Sequence, residues 1–202
     1  MTLAPVNDPA MMGSNFPRKE LDFYPTPEWL TEIVVPHIHD MRPNLTNIWE
    51  PACGDGAMVK VLERPDIVAM KPSPWKVQAS DINNYGFPGT IQHDFLSPVT
   101  YHVDAIVTNP PYGDLAEAFI RKALVSTRQR NGIVAMLLRH EYDTASGRVD
   151  LFEKEPFARH IVITKRPRWI PGSTGAPRHS YGWYIWDWEH QGPAEKYYWS
   201  NT

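Results

Sequence analysis

Asn109-Pro110-Pro111-Tyr112 is the sharpest chemical constellation in this chain of 202 residues. It ends a near-continuous apolar run, Asp104 to Asn109, that reads as a strand buried on both faces. Pro110 has no N–H, and two consecutive prolines fix the backbone just beyond the strand. The Asn109 amide oxygen and the Pro110 carbonyl are then left as outward acceptors, with the Tyr112 ring beside them. Together they can hold both protons of one exocyclic amino group while the aromatic face stacks on the ring that carries it. Such a nitrogen is a poor nucleophile because its lone pair is delocalised. Acceptors on its protons draw it toward tetrahedral geometry and aim the lone pair at an electrophilic carbon, such as a sulfonium methyl. Catalysis of that kind rests on orientation and preorganised charge, without a metal or a covalent intermediate. Taken alone, the tetrapeptide also reads as an ordinary loop.

Three more strand ends carry chemistry. Asn47-Ile48-Trp49-Glu50 is a short strand that runs into Pro51-Ala52-Cys53-Gly54-Asp55-Gly56, a turn whose small residues let a ligand approach the backbone. The turn opens a helix, so its amides face whatever binds there. The spacing matches neither a dinucleotide fingerprint nor a P-loop. A second strand, Val77 to Asp81, ends in a carboxylate that can accept both hydroxyls of a ribose. A weak third strand ends in His93-Asp94-Phe95, where Asp94 could accept from an adenine amino group and Phe95 stack on its ring. Strand-end aspartates are also common turn formers.

These positions need a scaffold of alternating strands and helices. Thr26 and Pro27 read as the cap and first position of a helix carrying Leu30, Ile33, Val34 and Ile38, which Pro36 should end or kink. Helices are expected over Ala57–Glu63 and Leu115–Ser126, and a fifth strand over Gly132–Leu138. His160–Thr164 and Trp183–Asp187 read as late strands with no long helix between them. The order implies a mostly parallel sheet, helices on both faces, and a final antiparallel hairpin-like pair. Ligands in such sheets bind beyond the carboxyl ends of the strands. Residues 1–20 read as an irregular arm and 21–202 as a single domain.

Composition narrows the class. The single cysteine, Cys53, excludes an internal disulfide and a multi-cysteine zinc site, and the eight histidines show no ligand spacing. No metal is expected. No apolar run approaches the ~20 residues that span a bilayer, and the opening residues lack a signal-peptide profile. The net charge of −3 is unevenly spread. Residues 1–120 hold 7 Lys+Arg against 15 Asp+Glu, whereas 121–179 hold 12 against 5. That asymmetry points to a polyanion-facing surface, scattered solvated charge being the alternative.

Taken together, the motifs resemble the amino-group DNA methyltransferases of the N6-adenine type. Glu50 to Gly56 resembles that family's cofactor loop, Asp81 its ribose-binding acid, Asp94-Phe95 its adenine-contacting motif and Asn109 to Tyr112 its catalytic tetrapeptide. Asp22 to Pro27, with Tyr24 and Thr26, resembles the leading motif that closes over the methionine end of the cofactor. The resemblance implies a Rossmann-like class I methyltransferase fold, a seven-stranded sheet, and S-adenosylmethionine as cofactor. It implies cofactor contacts from Tyr24, Thr26, Glu50, Pro51, Ala52, Gly54, Asp81, Ile82, Asp94, Phe95 and Asn109, with Asn109, Pro110 and Tyr112 catalytic. The motif order matches the subgroup whose target-recognition region lies C-terminal, yet only about 60 residues follow the fifth strand. Small phage-encoded relatives share this layout, so a bacterial or phage-infected cytoplasm is the expected setting. Recognition must then come from short loops, a partner or a second copy.

The expected partner is DNA, with RNA as an alternative. A duplex adenine is stacked, so it must be flipped out or met in a single strand. Loops 139–150 (Arg139, His140, Arg148) and 165–179 (Lys165, Arg166, Arg168, Arg178) are the candidate DNA-facing segments, with Pro111 and Tyr112 against the base. Trp169 could stack or wedge, but packing is the commoner role, as for Trp183, Trp186 and Trp188. RNA and protein-glutamine methyltransferases use a similar tetrapeptide, usually with a D-x-G-x-G-like cofactor loop. Enzymes acting on cytosine N4 more often have Ser where Asn109 stands. A catalytically silent binding protein is the non-enzymatic rival.

Overall fold

The structure, a computed structural model, describes residues 24–64, 75–170, 172, 174 and 176–200. The expected arm over 1–20, and Asp22 and Phe23 of the leading motif, lie outside the described residues.

Among the described residues, eight strands form one sheet: β1 (Asn47–Glu50), β2 (Lys76–Asp81), β3 (Ile91–Gln92), β4 (Ala105–Thr108), β5 (Ile133–Arg139), β6 (Phe157–Ile163), β7 (Tyr181–Asp187) and β8 (Glu195–Trp199). Their order is β3-β2-β1-β4-β5-β7-β6-β8. Every neighbouring pair is parallel except those made by β7, which runs antiparallel to both β5 and β6. The late antiparallel pair is therefore present, with β7 inserted between β5 and β6. The expected seven strands become eight because β8 adds to the outer side of β6, Arg159 facing Glu195 and Ile163 facing Trp199. Its residues are mostly exposed, so it has no apolar alternation to read. What holds it is lateral: Trp29 stacks on Trp199 at 5.3 Å, and Arg159 joins Asp40 and Glu195.

The two larger cores lie on opposite faces. Helices α1 (Glu28–Met41) and α2 (Ala57–Leu62) cover one face, packing Leu30, Ile33, Val34, Ile38, Met58 and Leu62 on Val107, Ala135, Leu137, Trp183 and Ile185. Helix α3 (Asp114–Arg128) and the short α4 (Val149–Glu153) cover the other. There Phe119, Ile120, Leu124 and Leu151 meet Ile106, Val134, Met136, Tyr184 and Trp186. Successive residues of β4, β5 and β7 go to alternate cores, as the two-residue period of a strand requires. Trp183 and Trp186 are fully buried packing residues, their indole N–H groups donating to the Leu30 and Leu151 carbonyls at 2.7 Å each.

Two expectations about α1 are corrected. The N-cap position is Pro27, with no side-chain cap, and Thr26 serves another element. Pro36 does not end the helix, which runs on to Met41: it is exposed, and the turn around it is held by the fully buried Val34, Val35 and Ile38. Burial of an apolar face outweighs the lost backbone bond.

Gly132 opens β5 against the backbone of Asp104, where an added Cβ would lie 2.4 Å from the carbonyl oxygen. Backbone cannot rotate aside as a side chain can. Gly132→Ala is expected to lower stability by about 1–3 kcal/mol, the usual penalty of overpacking, read as a reduced midpoint in urea.

Candidate active site

The strand order reverses between β1 and β4: β2 and β3 extend one way from β1, and β4, β5 and the later strands the other. A crevice beyond the carboxyl ends is expected at such a reversal. The loops after β1, β2, β3 and β4 all leave the sheet at that edge, and so do those after β5 and β6, which run in the same direction.

The first two loops are tied together. The Gly54 amide donates to Asp81 Oδ2 at 2.9 Å, and the Asn83 amide donates to Oδ1 at 3.0 Å. Gly54 (φ 54°) and Gly56 (φ 75°) take left-handed backbone, and a Cβ on Gly56 would collide with the Phe87 ring. Asp81 is buried, its carboxylate held by these two amides, while Ile82 beside it is 58% exposed and offers an apolar face. Pro51 and Gly54 are buried and Ala52 is half-buried. Burial pushes the Cys53 thiol up to about 11, so it is a packing residue rather than a nucleophile.

Glu50 is the electrostatic anomaly. It is 1% exposed, accepts a 2.5 Å hydrogen bond at Oε1 from the Thr108 hydroxyl and a longer one from the Ala52 amide. Its other oxygen, Oε2, is buried with no hydrogen-bond partner in the protein. Burial pushes its pKa up to about 8, the Thr108 and Ala52 hydrogen bonds opposing that rise and the Asp81 carboxylate adding to it. A buried acceptor without a donor is costly unless something supplies one.

Thr108 and Asn109 are consecutive and serve opposite sides. Thr108 reaches back to Glu50, and Asn109 Nδ2 donates to Thr26 Oγ1 at 3.1 Å. Asn109 Oδ1 accepts a long 3.4 Å bond from the Tyr112 hydroxyl, and the Asn109 side chain is partly exposed. Pro110 is buried and Pro111 half-buried. The Tyr112 phenol is held protonated, its pKa raised well above the ordinary value by burial and by the neighbouring Tyr181. Its ring centroid lies 6.0 Å from that of Tyr181 and 6.3 Å from that of Trp169, which meets Tyr181 at 5.0 Å. Tyr24 is half-buried.

Not every expected residue joins this group. Phe95 is 2% exposed and wedged between Trp49 and Phe119, with ring centroids 5.1 and 4.8 Å away. Its ring belongs to the core beneath α3 and is not offered to a ligand. Asp94 is exposed, and its carboxylate accepts from the Leu96 amide at 2.9 Å as a turn former does. Among the basic residues, Lys165, Arg166, Arg168 and Arg178 are exposed and Arg139 is half-buried, paired in register with Tyr181. Lys165 sits over the Trp29 ring at 5.1 Å, and Arg166 clasps its own loop through Ser180 and the Pro177 carbonyl. Arg148 turns back onto Tyr142 at 4.1 Å and toward Glu117. Thr108 and Tyr181 are the contributors that sequence reasoning missed; both sit within strands, and nothing local marks them.

No family model matches the sequence, and no curated protein matches it. Solved structures do. A protein from Listeria monocytogenes assigned as a class I S-adenosylmethionine-dependent methyltransferase is 17% identical, with TM-score 0.63 over 86% of this chain and 64% of that one. One from Pyrococcus horikoshii assigned as an RNA methyltransferase is 13% identical, with TM-score 0.61 over 86% of this chain and 90% of that one. The type I restriction-modification methyltransferase subunit of Streptococcus thermophilus is 14% identical, with TM-score 0.60 over 82% of this chain and 44% of that one. This chain thus spans less than two thirds of the Listeria protein and under half of the Streptococcus subunit. At these identities the likeness is one of fold: the chain has the Rossmann-like fold of class I methyltransferases. Among the described residues no cluster of three or more His, Cys, Asp or Glu is placed to hold a metal, and no helix is long and apolar enough to cross a membrane.

The Glu50 carboxyl sets a pH signature. Its folded pKa of about 8 lies above the ~4.3 of an unfolded glutamate, so the folded state holds the proton more tightly. The resulting stability is fully present below the unfolded value and is lost as pH rises through the folded one. Glu50→Gln, which mimics the protonated form, should melt with the unliganded parent near pH 4, below the unfolded value. At pH 8.5 it should melt at least about 2–4 °C higher. Equal melting differences at both pH values would place an ionised carboxylate there throughout.

Proposed function

We propose that this chain transfers a methyl group from S-adenosylmethionine to the exocyclic N6 amino group of adenine in DNA. The observation that carries the reading is the join between two sites. Thr108 hydrogen-bonds Glu50, at the head of the Gly54–Asp81 crevice, and the next residue, Asn109, keeps its amide oxygen on the partly exposed side.

The crevice fits the cofactor by chemistry. The unpartnered Glu50 Oε2 suits a cationic amine such as the methionine end carries, and that donor would hold the carboxyl ionised. Asp81 has lone pairs left for ribose hydroxyls, and the exposed Ile82 offers an apolar face for an adenine ring. Bound there, the cofactor supplies an electrophilic methyl on a sulfonium. The chain's part is positioning. Asn109 Oδ1 and the Pro110 carbonyl accept the two protons of the amine, and the partly exposed Tyr112 and Trp169 are the aromatic face for the base, with the buried Tyr181 packed against both. Held by these acceptors, the amine would present its lone pair to the methyl that the bound cofactor would supply, and would release one proton to solvent. The phenol of Tyr112, held protonated, takes no part as a base.

A DNA target is supported by the exposed Lys165, Arg166, Arg168 and Arg178 in the loop after β6, which opens on the same edge as Asn109. Phosphate contacts of this kind position a strand without reading its sequence. RNA is the second reading, favoured by the near full-length match to the Pyrococcus protein; the amine chemistry is the same.

Labelled methyl transfer is expected to duplex or single-stranded DNA, with N6-methyladenine as the nucleoside product by mass spectrometry. Asn109→Ala should keep cofactor affinity by calorimetry and lose transfer by a factor on the order of 10² or more, as for removal of one preorganised polar contact. Transfer to protein alone, or a methylated cytosine product, overturns the assignment.

A further inference from the structure

We infer that the outer edge of β8 pairs with the same edge of a second copy of this chain. The pairing is antiparallel and two-fold symmetric, with Lys196 of each copy opposite Tyr198 of the other. It stands apart from the function proposed above and uses none of the residues of that site.

β8 ends the strand order, so one of its edges has no neighbouring strand among the described residues. The ladder on its other side decides which residues face that open edge. β6 and β8 pair in continuous parallel register from Arg159–Glu195 to Ile163–Trp199, and the Thr164 amide donates to the Trp199 carbonyl at 3.1 Å. In such a ladder alternate residues direct both backbone groups to the same neighbour. Glu195, Tyr197 and Trp199 therefore spend theirs on β6. Lys196 and Tyr198 turn their N–H and C=O groups outward, where no strand receives them.

Edges of this kind are commonly blunted by a proline, a bulge or a repelling charge. β8 contains no proline, and its pairing with β6 has no register shift. Its one cation is turned to use: Lys196 Nζ lies 5.8 Å from the centroid of the Tyr198 ring, on the same face of the strand. Tyr198 is 69% exposed, more than any other large apolar or aromatic side chain among the described residues. The strand beneath is held firmly. Trp199 stacks on Trp29, Glu195 pairs with Arg159, and the Arg159 guanidinium covers the Tyr197 ring at 4.5 Å. An edge fixed in this way loses little freedom on pairing.

Self-complementarity selects the occupant and the register. A two-fold contact must match a surface to itself. Lys196 opposite Lys196 sets like charges side by side. Tyr198 opposite Tyr198 leaves Lys196 facing Ser200. Lys196 opposite Tyr198 engages every outward backbone group and seats each ammonium against the ring of the other copy. It also brings Tyr197 opposite Tyr197 on the other face, where cross-strand aromatic pairs are favourable. β6, β7 and β5 separate this edge from the β1–β4 reversal, so neither crevice lies at the interface.

The test is the mass of the full chain by sedimentation equilibrium. The parent should approach twice the 23.2 kDa of one chain. Its Kd should be on the order of 10 µM, as a small interface gives. Tyr198→Pro removes an outward N–H that β6 does not use. It should weaken association at least about tenfold while circular dichroism and melting match the parent. Tyr198→Glu and Tyr198→Lys then separate the registers. The first sets Glu against Lys196 of the other copy and should keep Kd within about threefold of the parent. The second sets lysine against lysine and should stay monomeric up to about 100 µM. Tyr197→Cys, opposite itself at a non-hydrogen-bonded position, should cross-link as a dimer on mild oxidation, and Lys196→Cys should not.

A parent that is monomeric at about 100 µM, ten times the expected Kd, overturns the inference, whatever else takes the edge. So does a dimer that folded Tyr198→Pro leaves at parental strength, or one that Tyr198→Lys preserves. Equal weakening by the Glu and Lys variants overturns the register and with it the proposal. Should Tyr198→Pro fail to fold, the two charge variants and the cross-link decide.

Discussion

A carboxyl group buried with half of its hydrogen-bonding capacity unmet is the constraint on which this site turns. Glu50 ends β1 at the point where the sheet order reverses, and it can be held there only by groups brought from elsewhere in the chain. Thr108 supplies one, from the neighbouring strand β4. The remaining oxygen is left facing its surroundings without a donor. A protein that buried this group merely for stability would do better with an apolar side chain. The arrangement makes sense when a ligand bearing a proton donor completes it, because binding then recovers the desolvation that folding alone leaves uncompensated.

The same pair of strands links this local fact to Asn109. Successive residues of a strand point to opposite sides. Thr108 can therefore serve the crevice between β1 and β4 while Asn109 turns to the segment ahead of α1. The prolines that follow stiffen the exit from β4 and leave little freedom in the placement of Tyr112. Tyr112 in turn leans on Tyr181, the first residue of the reversed strand β7, and on Trp169 from the loop before it. The inserted antiparallel strand is thus more than a way of finishing the sheet. It returns the chain to the carboxyl edge and sets the buried Tyr181 against Tyr112 and Trp169.

The misassigned residues are instructive for the same reason. Phe95 sits one residue after a turn-forming aspartate, where an aromatic ring could equally stack on a ligand or plug the core. Burial decided for the core, with Trp49 and Phe119 closing over it. Thr26 stands in the right position and has the right chemistry for a helix cap, but Asn109 lies within reach and takes its oxygen. For Thr26 a local capping preference worth about 1 kcal/mol yields to a contact made between distant parts of the chain. β8 was unreadable for the opposite reason: an exposed edge strand carries no apolar pattern, and its pairing is set by the strand beside it.

What the sequence determined by itself was therefore everything that depends on local chemistry. It marked the alternation of strands and helices, the strand ends that carry Glu50, Gly54, Asp81 and Asn109, and the stiffness of the prolyl pair. Those features follow from periodicity and backbone restriction, which act over a few residues. Tertiary structure alone decided which of two faces a side chain presents and what it meets there. It turned Phe95 inward, gave Thr108 to Glu50 and Thr26 to Asn109, and set Tyr181 against Tyr112. Each of those contacts joins residues far apart in sequence, and only the closed sheet, with its two cores filled, brings them within hydrogen-bonding or van der Waals distance.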